Sequence, residues 1–282
     1  MPDGLQCGDR WLDLSSPVIM GVLNVTPDSF SDGGRFLKPD DALRHAELLV
    51  NEGAQIIDLG AESTRPGAVP VSPTEELDRL LPVLEALKAR FAVVLSVDTS
   101  TPDVMIESAR LGAGLINDVR ALQRPGALAA ASTTGLPVCL MHMRGEPSTM
   151  QHHAEYVDVV AEVDDFLARR IAACESAGIS RDRLLLDPGF GFGKTLAHNL
   201  ALLAGLPRFG HFGLPLLVGL SRKSMLGAVL NNATVDRRLA AGLGAASLAV
   251  WQGARIIRTH DAGATRDAIA VATAIIKGEK TQ

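Results

Sequence analysis

The chain has 282 residues, 47% hydrophobic and 21% charged, with a formal net charge of −5. A small acidic excess and the absence of basic runs exclude a nucleic-acid or anionic-membrane footprint. Cys7, Cys139 and Cys174 are odd in number and far apart, which excludes a disulfide framework and a C-x-x-C metal or redox site. The first 16 residues carry acidic groups and no apolar core, so they do not form a signal peptide. The longest apolar stretch, Leu239 to Trp251, is too short to span a bilayer. These features describe a soluble cytoplasmic enzyme with no nucleic-acid or membrane partner.

Along the chain, short β-branched or Leu-rich runs alternate with segments of helical spacing. Leu5–Leu14, with Gly8-Asp9 between apolar residues, predicts a small hairpin. Strands are then predicted at Val18–Leu23, Ile56–Leu59, Val93–Val97, Leu115–Ile116, Val138–Met141, Arg183–Leu186, Leu216–Leu220 and Ile256–Ile257. The helices predicted between and after them are Asp40–Asn51, Pro73–Ala89, Pro102–Leu111, Gly126–Thr134, Ala154–Ala177, Ala197–Leu203, Asp236–Gln252 and Asp261–Ile276. Strict β, α alternation demands a parallel sheet with helical crossovers. Eight such units point to a (β/α)8 TIM barrel, closed below by the hairpin, as one domain over residues 1–282. The alternative, an open doubly wound sheet, usually shows a phosphate fingerprint after its first strand, where this chain has Asn24-Val25-Thr26-Pro27.

Barrel chemistry sits at the carboxyl ends of the strands. Those ends read Asn24; Glu62-Ser63-Thr64-Arg65-Pro66-Gly67; Asp98; Asn117-Asp118; His142; Asp187-Pro188-Gly189-Phe190; Ser221-Arg222-Lys223-Ser224; and Arg258-Thr259-His260-Asp261. Any one of them could be a helix cap, but all eight carry polar groups. Arg65, Arg222, Lys223, Arg258 and His260 form a cationic rim suited to a phosphate or diphosphate. Because strand residues alternate in direction, Arg258 and His260 share a face from which Thr259 turns away. Asp98, Asn117 and Asp187 lie deeper, where two carboxylates and an amide suit a flat heterocycle rich in N–H donors. The competing reading pairs those carboxylates with the rim cations. Gly189-Phe-Gly-Phe-Gly193-Lys194-Thr195 ends like a P-loop, yet Pro188 stands where its first glycine is required, and the glycines miss G-x-G-x-x-G. His142, His152 and His153 lack the companions of a zinc site.

These strand ends resemble dihydropteroate synthase. The residues that carry the resemblance are MGVLNVTPDSFSDGG at 20–34, GAESTRPG at 60–67, Ser96-Val-Asp98-Thr, Ile116-Asn117-Asp118, Leu186-Asp187 through Lys194, Gly219 through Ser224, and Arg258-Thr-His260-Asp. They run in unbroken order from about Leu14 to Val271. Ala61 and Thr259 are small departures from the family pattern. The resemblance implies condensation of (7,8-dihydropterin-6-yl)methyl diphosphate with 4-aminobenzoate, giving 7,8-dihydropteroate and diphosphate in folate biosynthesis. Lys223, Asp98 and Arg258 are then implied at the reacting centre. Asp187, Asn117, Asp98 and Lys223 would hold the pterin edge, with Met141, Phe192 and Val119 against its faces and Gly219 beside it. Arg258, His260 and Arg65 would hold the diphosphate, with one Mg²⁺ shared with Asn24. Phe30, Thr64, Pro66, Phe192, Lys223 and Ser224 would form the 4-aminobenzoate pocket, the target of sulfonamides. Loops 26–35 and 63–68 would close over the diphosphate.

Two rivals keep the same barrel: a methyltetrahydrofolate:corrinoid methyltransferase, which has no use for an anion rim, and a silent pterin-binding paralogue. The paralogue should have lost one of Asn24, Asp98, Asp187, Lys223 or Arg258, and all five are present. The family expectation is a homodimer, with Leu239–Trp251 as its contact or, alternatively, as an ordinary core helix.

Overall fold

The computed structural model describes residues 3–25, 39–62, 71–146, 149–150 and 154–278. Strands β1 (Gly4–Cys7) and β2 (Arg10–Asp13) form an antiparallel hairpin with Cys7 opposite Arg10. Its two-residue turn has Gly8 at φ +60°, the conformation required at the first position of a type II′ turn.

Eight parallel strands follow: β3 (Val18–Asn24), β4 (Ile56–Gly60), β5 (Val94–Asp98), β6 (Leu115–Asp118), β7 (Val138–Met141), β8 (Leu184–Asp187), β9 (Leu217–Gly219) and β10 (Ile256–Thr259). Their order is β8-β7-β6-β5-β4-β3-β10-β9. The ends of this ribbon meet through a parallel bridge between Leu186 and Leu216, and Leu186 N donates to the Pro215 carbonyl at 3.0 Å. That contact closes the (β/α)8 barrel.

The helices are α1 (Pro39–Asn51), α2 (Pro73–Arg90), α3 (Pro102–Arg110), α4 (Ala127–Thr134), α5 (Val159–Ser176), α6 (Leu196–Ala204), α7 (Ser224–Val229), α8 (Leu239–Trp251) and α9 (Ala262–Lys277). The alternation predicted eight; α7 is the addition, a six-residue turn directly after Lys223. Helix α5 starts at Val159, later than the expected Ala154, because Asp158 caps the N–H groups of Val160 and Ala161. A 3-10 turn at Val235–Arg237 likewise delays α8 to Leu239.

The strand pleat separates two cores. Ile19, Leu23, Ile57, Leu59, Val97, Ile116, Leu140, Leu186 and Ile257 face outward and pack against the helices. Val18, Met20, Ile56, Val94, Leu115, Cys139, Leu185, Leu217 and Ile256 face inward, joined by Leu5, Cys7, Leu12 and Leu14 of the hairpin segment. The hairpin therefore plugs the amino-terminal end of the barrel. Two residues further along the strands the inward series changes character, to Asp58, Ser96, Asn117, Met141, Asp187, Gly219 and Arg258. This single period-2 step turns an apolar floor into a polar mouth.

Helix α8 buries Ala245, Ala246, Ala249 and Val250 while leaving Leu248 and Trp251 exposed. Among the described residues no helix is long and apolar enough to cross a membrane.

Leu12, 4% exposed, belongs to the plug at the end opposite the polar mouth. Leu12→Ala is expected to lower the unfolding free energy by about 2–4 kcal/mol in urea titration. Ligand affinity at the mouth should not change, and a loss of affinity equal to the loss of stability would contradict a separate plug.

Candidate active site

The mouth is organised around a carboxylate that the strand-end reading passed over. Asp58 lies in mid-strand on β4, fully buried and facing inward. Its Oδ1 accepts from Ser96 Oγ at 2.6 Å, and its Oδ2 accepts from Asn117 Nδ2 at 3.0 Å and Arg258 Nε at 2.6 Å. Arg258 also donates through Nη2 to Asp98 Oδ2 at 3.0 Å. One guanidinium thus bridges two carboxyl groups. Burial, with the Asp58 charge adding and Arg258 opposing, pushes the Asp98 carboxyl up to about 8. Although burial works against it, Asp58 and Asp98 hold the Arg258 guanidinium's pKa above its ordinary value. The alternative of carboxylates paired with the rim cations therefore holds for Asp98.

Asp187 ends β8, 7% exposed. Among the described residues its hydrogen-bond donor is the Gly189 N–H, on Oδ1 at 2.7 Å. Burial raises its pKa, opposed chiefly by the Lys223 charge. Lys223 sits deeper than the rim expected for it. Its Nζ donates to the Phe190 carbonyl and lies 4.6 Å from the Phe192 ring centroid. Burial and Arg258 bring its pKa down to about 8, against the pull of Asp187.

The local backbone explains how adjacent residues of the Ser221–Ser224 turn diverge. Arg222 takes a left-handed φ of +60° and is exposed, pairing with Asp261 at 2.5 Å. Its guanidinium is held by Asp261 and is not a free rim cation as expected, while Lys223 is directed inward. Ser224, exposed, starts α7 beside it. His260 is partly buried, with Nδ1 3.1 Å from Ser221 Oγ. Thr259 faces the helices and contacts Thr265 at 3.0 Å, as the alternation from Arg258 requires.

Asp118 and Asn117 part in the same way. Asp118 caps the following turn, accepting from Arg120 N at 2.8 Å and Leu122 N at 2.7 Å, while Asn117 reaches inward. Val119 and Met141 are buried and continue inward-facing positions of β6 and β7. Gly219 packs its backbone beside the Arg258 stem, where an added Cβ would meet the Arg258 Cβ at 3.6 Å, an ordinary contact. Asn24 ends β3, partly exposed, and is linked to Asp98 through the register with Gly60. Phe30, Thr64, Arg65 and Pro66 lie outside the described residues, as do His152 and His153.

The glycine-rich segment after β8 is a wound loop and does not cradle phosphate as a P-loop does. Gly189, Gly191 and Gly193 all have positive φ, and a Cβ on Gly189 would meet the His142 carbonyl oxygen at 1.8 Å. Lys194, passed over with the failed motif, is 3% exposed and turns back beneath this loop. His142 packs against it, its pKa driven down to about 2 by burial and by the Lys194 and Arg144 charges. Among the described residues, no group of three or more His, Cys, Asp or Glu could hold a metal.

The mouth therefore offers acceptors and an amine to a planar donor-rich ring, beside an arginine and a histidine able to hold an anion. The family model described as "Pterin binding enzyme" matches residues 20–260. Dihydropteroate synthase of Escherichia coli K12 is 57% identical over 271 residues, covering 96% of each chain. The Yersinia pestis dihydropteroate synthase, solved with a sulfonamide drug, superposes with a TM-score of 0.93 at 54% identity, covering 97% of this chain and 99% of that one. The Xanthomonas albilineans enzyme, solved with 7,8-dihydropteroate, gives a TM-score of 0.88 at 46% identity, covering 97% and 98%. By sequence and by fold, this chain belongs to the dihydropteroate synthase family of pterin-binding transferases.

Proposed function

We propose that the chain condenses (7,8-dihydropterin-6-yl)methyl diphosphate with 4-aminobenzoate, giving 7,8-dihydropteroate, the compound bound in the Xanthomonas structure, and diphosphate. The observation that carries this reading is the buried, inward-facing Asp187, with Asn117, Asp98 and Lys223 around the same mouth. In this reading Asp187 accepts from the pterin ring N–H and 2-amino group, and Lys223 donates to its carbonyl side. Asn117 and Asp98 complete the edge, and Met141, Val119 and Phe192 cover the ring faces beside the bare backbone of Gly219. Ser224, at the start of α7, contacts 4-aminobenzoate.

Arg258 and His260 hold the diphosphate and neutralise its charge as the C–O bond breaks. The aniline nitrogen is already neutral and nucleophilic, so no strong side-chain base is needed. The electron-rich dihydropterin stabilises positive charge developing on the exocyclic methylene, which favours an SN1-like displacement governed by electrostatics and position.

Asn24 presents an amide oxygen at a strand end, without the acidic cluster of an all-protein metal cage. This suits Mg²⁺, which takes few protein ligands and otherwise uses water and phosphate oxygens. When bound, the ion would neutralise diphosphate charge beside Arg258. We further propose one pterin-binding domain over residues 1–282 and a cytoplasmic location, consistent with three buried, unpaired cysteines. A homodimer through α8 accords with exposed Leu248 and Trp251.

Purified protein is expected to couple the two substrates with release of diphosphate. Asp187→Asn turns one acceptor into a donor facing donors, and should weaken pterin binding by about 3 kcal/mol in calorimetry. Near-parental pterin affinity would refute the assignment of that edge.

Arg258→Ala should weaken diphosphate binding and leave Asp58 and Asp98 without their shared cation. Folded Asp98 would then stay protonated to higher pH, whereas the unfolded carboxyl ionises in the ordinary range. Folding would take up a proton throughout that window, so stability is lost as pH rises through it. Unfolding curves should therefore decline more steeply toward alkaline pH in the variant than in the parent. Parallel pH profiles would show that Arg258 does not hold this pair.

A further inference from the structure

We propose that Lys194 is a positioning residue that sets the geometry of Asp187 and Lys223 by stapling the loop between β8 and α6; the inference rests on the pterin role given to that pair. Lys194 Nζ is buried against three carbonyls and the His142 ring. It donates to the Gly189 carbonyl at 2.8 Å and the Phe192 carbonyl at 3.1 Å, and it lies 3.4 Å from the His142 carbonyl and 2.9 Å from His142 Nδ1.

Each end of this staple leads to a group at the mouth. Gly189 accepts from Lys194 through its carbonyl and donates its own N–H to Asp187 Oδ1, so one peptide residue joins the amine to the carboxylate. Phe192 accepts from Lys194 through its carbonyl and lays its ring under the Lys223 Nζ. Between them the Phe190 carbonyl accepts from Lys223. The loop includes three left-handed glycines and two phenylalanines; the Gly189 carbonyl accepts one turn bond, from Phe192 N at 3.2 Å, while the Phe190 and Phe192 carbonyls rely on lysine side chains. A lysine folded back inside it satisfies those carbonyls and fixes their directions. Asn199, which accepts from Gly191 N at 2.7 Å, and Tyr156, which donates to the Gly193 carbonyl at 3.0 Å, hold the rim of the loop but do not reach Gly189 or Phe192. Arg258 and His260 stand on or beside β10 with partners of their own, outside this chain of bonds.

The staple therefore makes a selective prediction. Lys194→Met keeps the aliphatic stem and removes the donors. Calorimetry should show weaker binding of 6-hydroxymethylpterin, on the order of ten- to hundredfold, the range seen when outer supports of a site are removed. Diphosphate affinity should stay within a factor of about two, because the anion groups do not depend on the loop. In steady state, KM for the pterin substrate should rise with little change in the diphosphate inhibition constant. Equal losses for pterin and diphosphate would mean a general loosening of the mouth and would overturn the proposal, as would unchanged pterin affinity. If Lys194→Met does not fold, Lys194→Ala refolded with n-propylammonium replaces it, since that amine has the atoms deleted beyond Cβ. Pterin affinity that rises and saturates with the amine supports the staple, and affinity independent of the amine overturns it. Asp187→Asn measured alongside separates the two readings. Loss of pterin binding there with none in the lysine variants refutes the staple alone, whereas retention in Asp187→Asn refutes the underlying assignment of the pterin edge.

Discussion

Buried charge is the constraint around which the upper half of this barrel is built. An ionised carboxylate withdrawn from water is costly unless a cation or several donors meet it, and the inside of the mouth holds Asp58, Asp98 and Asp187. Arg258 serves two of them at once, and Ser96 and Asn117 fill the remaining positions on Asp58. Asp187 differs from that pair: among the described residues its hydrogen-bond donor is the Gly189 N–H, which leaves acceptor capacity for a donor-rich ring.

The same constraint accounts for the rest of the barrel. A charged layer cannot rest on a wet floor without losing the low dielectric that gives its contacts their strength. Below it lies the inward apolar layer from Val18 to Ile256, sealed by the hairpin residues Leu5, Cys7, Leu12 and Leu14. The strand pleat divides the labour: one parity feeds the helix-facing core, and the other passes from plug to site within two residues. Neither Asp58 on β4 nor Arg258 on β10 requires a special backbone conformation; each needs only the correct parity.

Much of this was legible in the residues themselves. Alternating runs announced eight β, α units, and the strand ends held Asp98, Asn117, Asp187, Lys223 and Arg258, all of which the structure brings to the mouth or its edge. The misses have physical causes. Asp58 lies in mid-strand, short of the strand end where barrel chemistry is expected, although its shared parity with Ile56 marks it as an inward charge needing partners. Arg222 has the residue type of a rim cation, but backbone direction is not visible in residue type, and at a left-handed φ it pairs with Asp261. Lys194 ends a motif that fails as a phosphate loop, and its contacts depend on a loop that folds back on its own lysine, which no periodicity encodes. Helix α7 escaped because six residues are too few to display a helical period.

The supports of the site also explain why one mouth can serve two ligand chemistries. The groups read as facing the heterocycle, Asp187 and Lys223, take their positions from the loop after β8 through Gly189, Phe190 and Phe192. The groups read as facing the anion, Arg258 and His260, take theirs from β10, from Asp58 and Asp98, and from Ser221. The two sets meet in space but share few covalent or hydrogen-bonded supports. In a displacement where the ring stays while the diphosphate departs, that separation lets the anion groups relax without disturbing the carboxylate that orients the ring. The geometry at the reacting carbon then outlasts the loss of the leaving group, as a dissociative reaction requires if the aniline is to find the cation before water does.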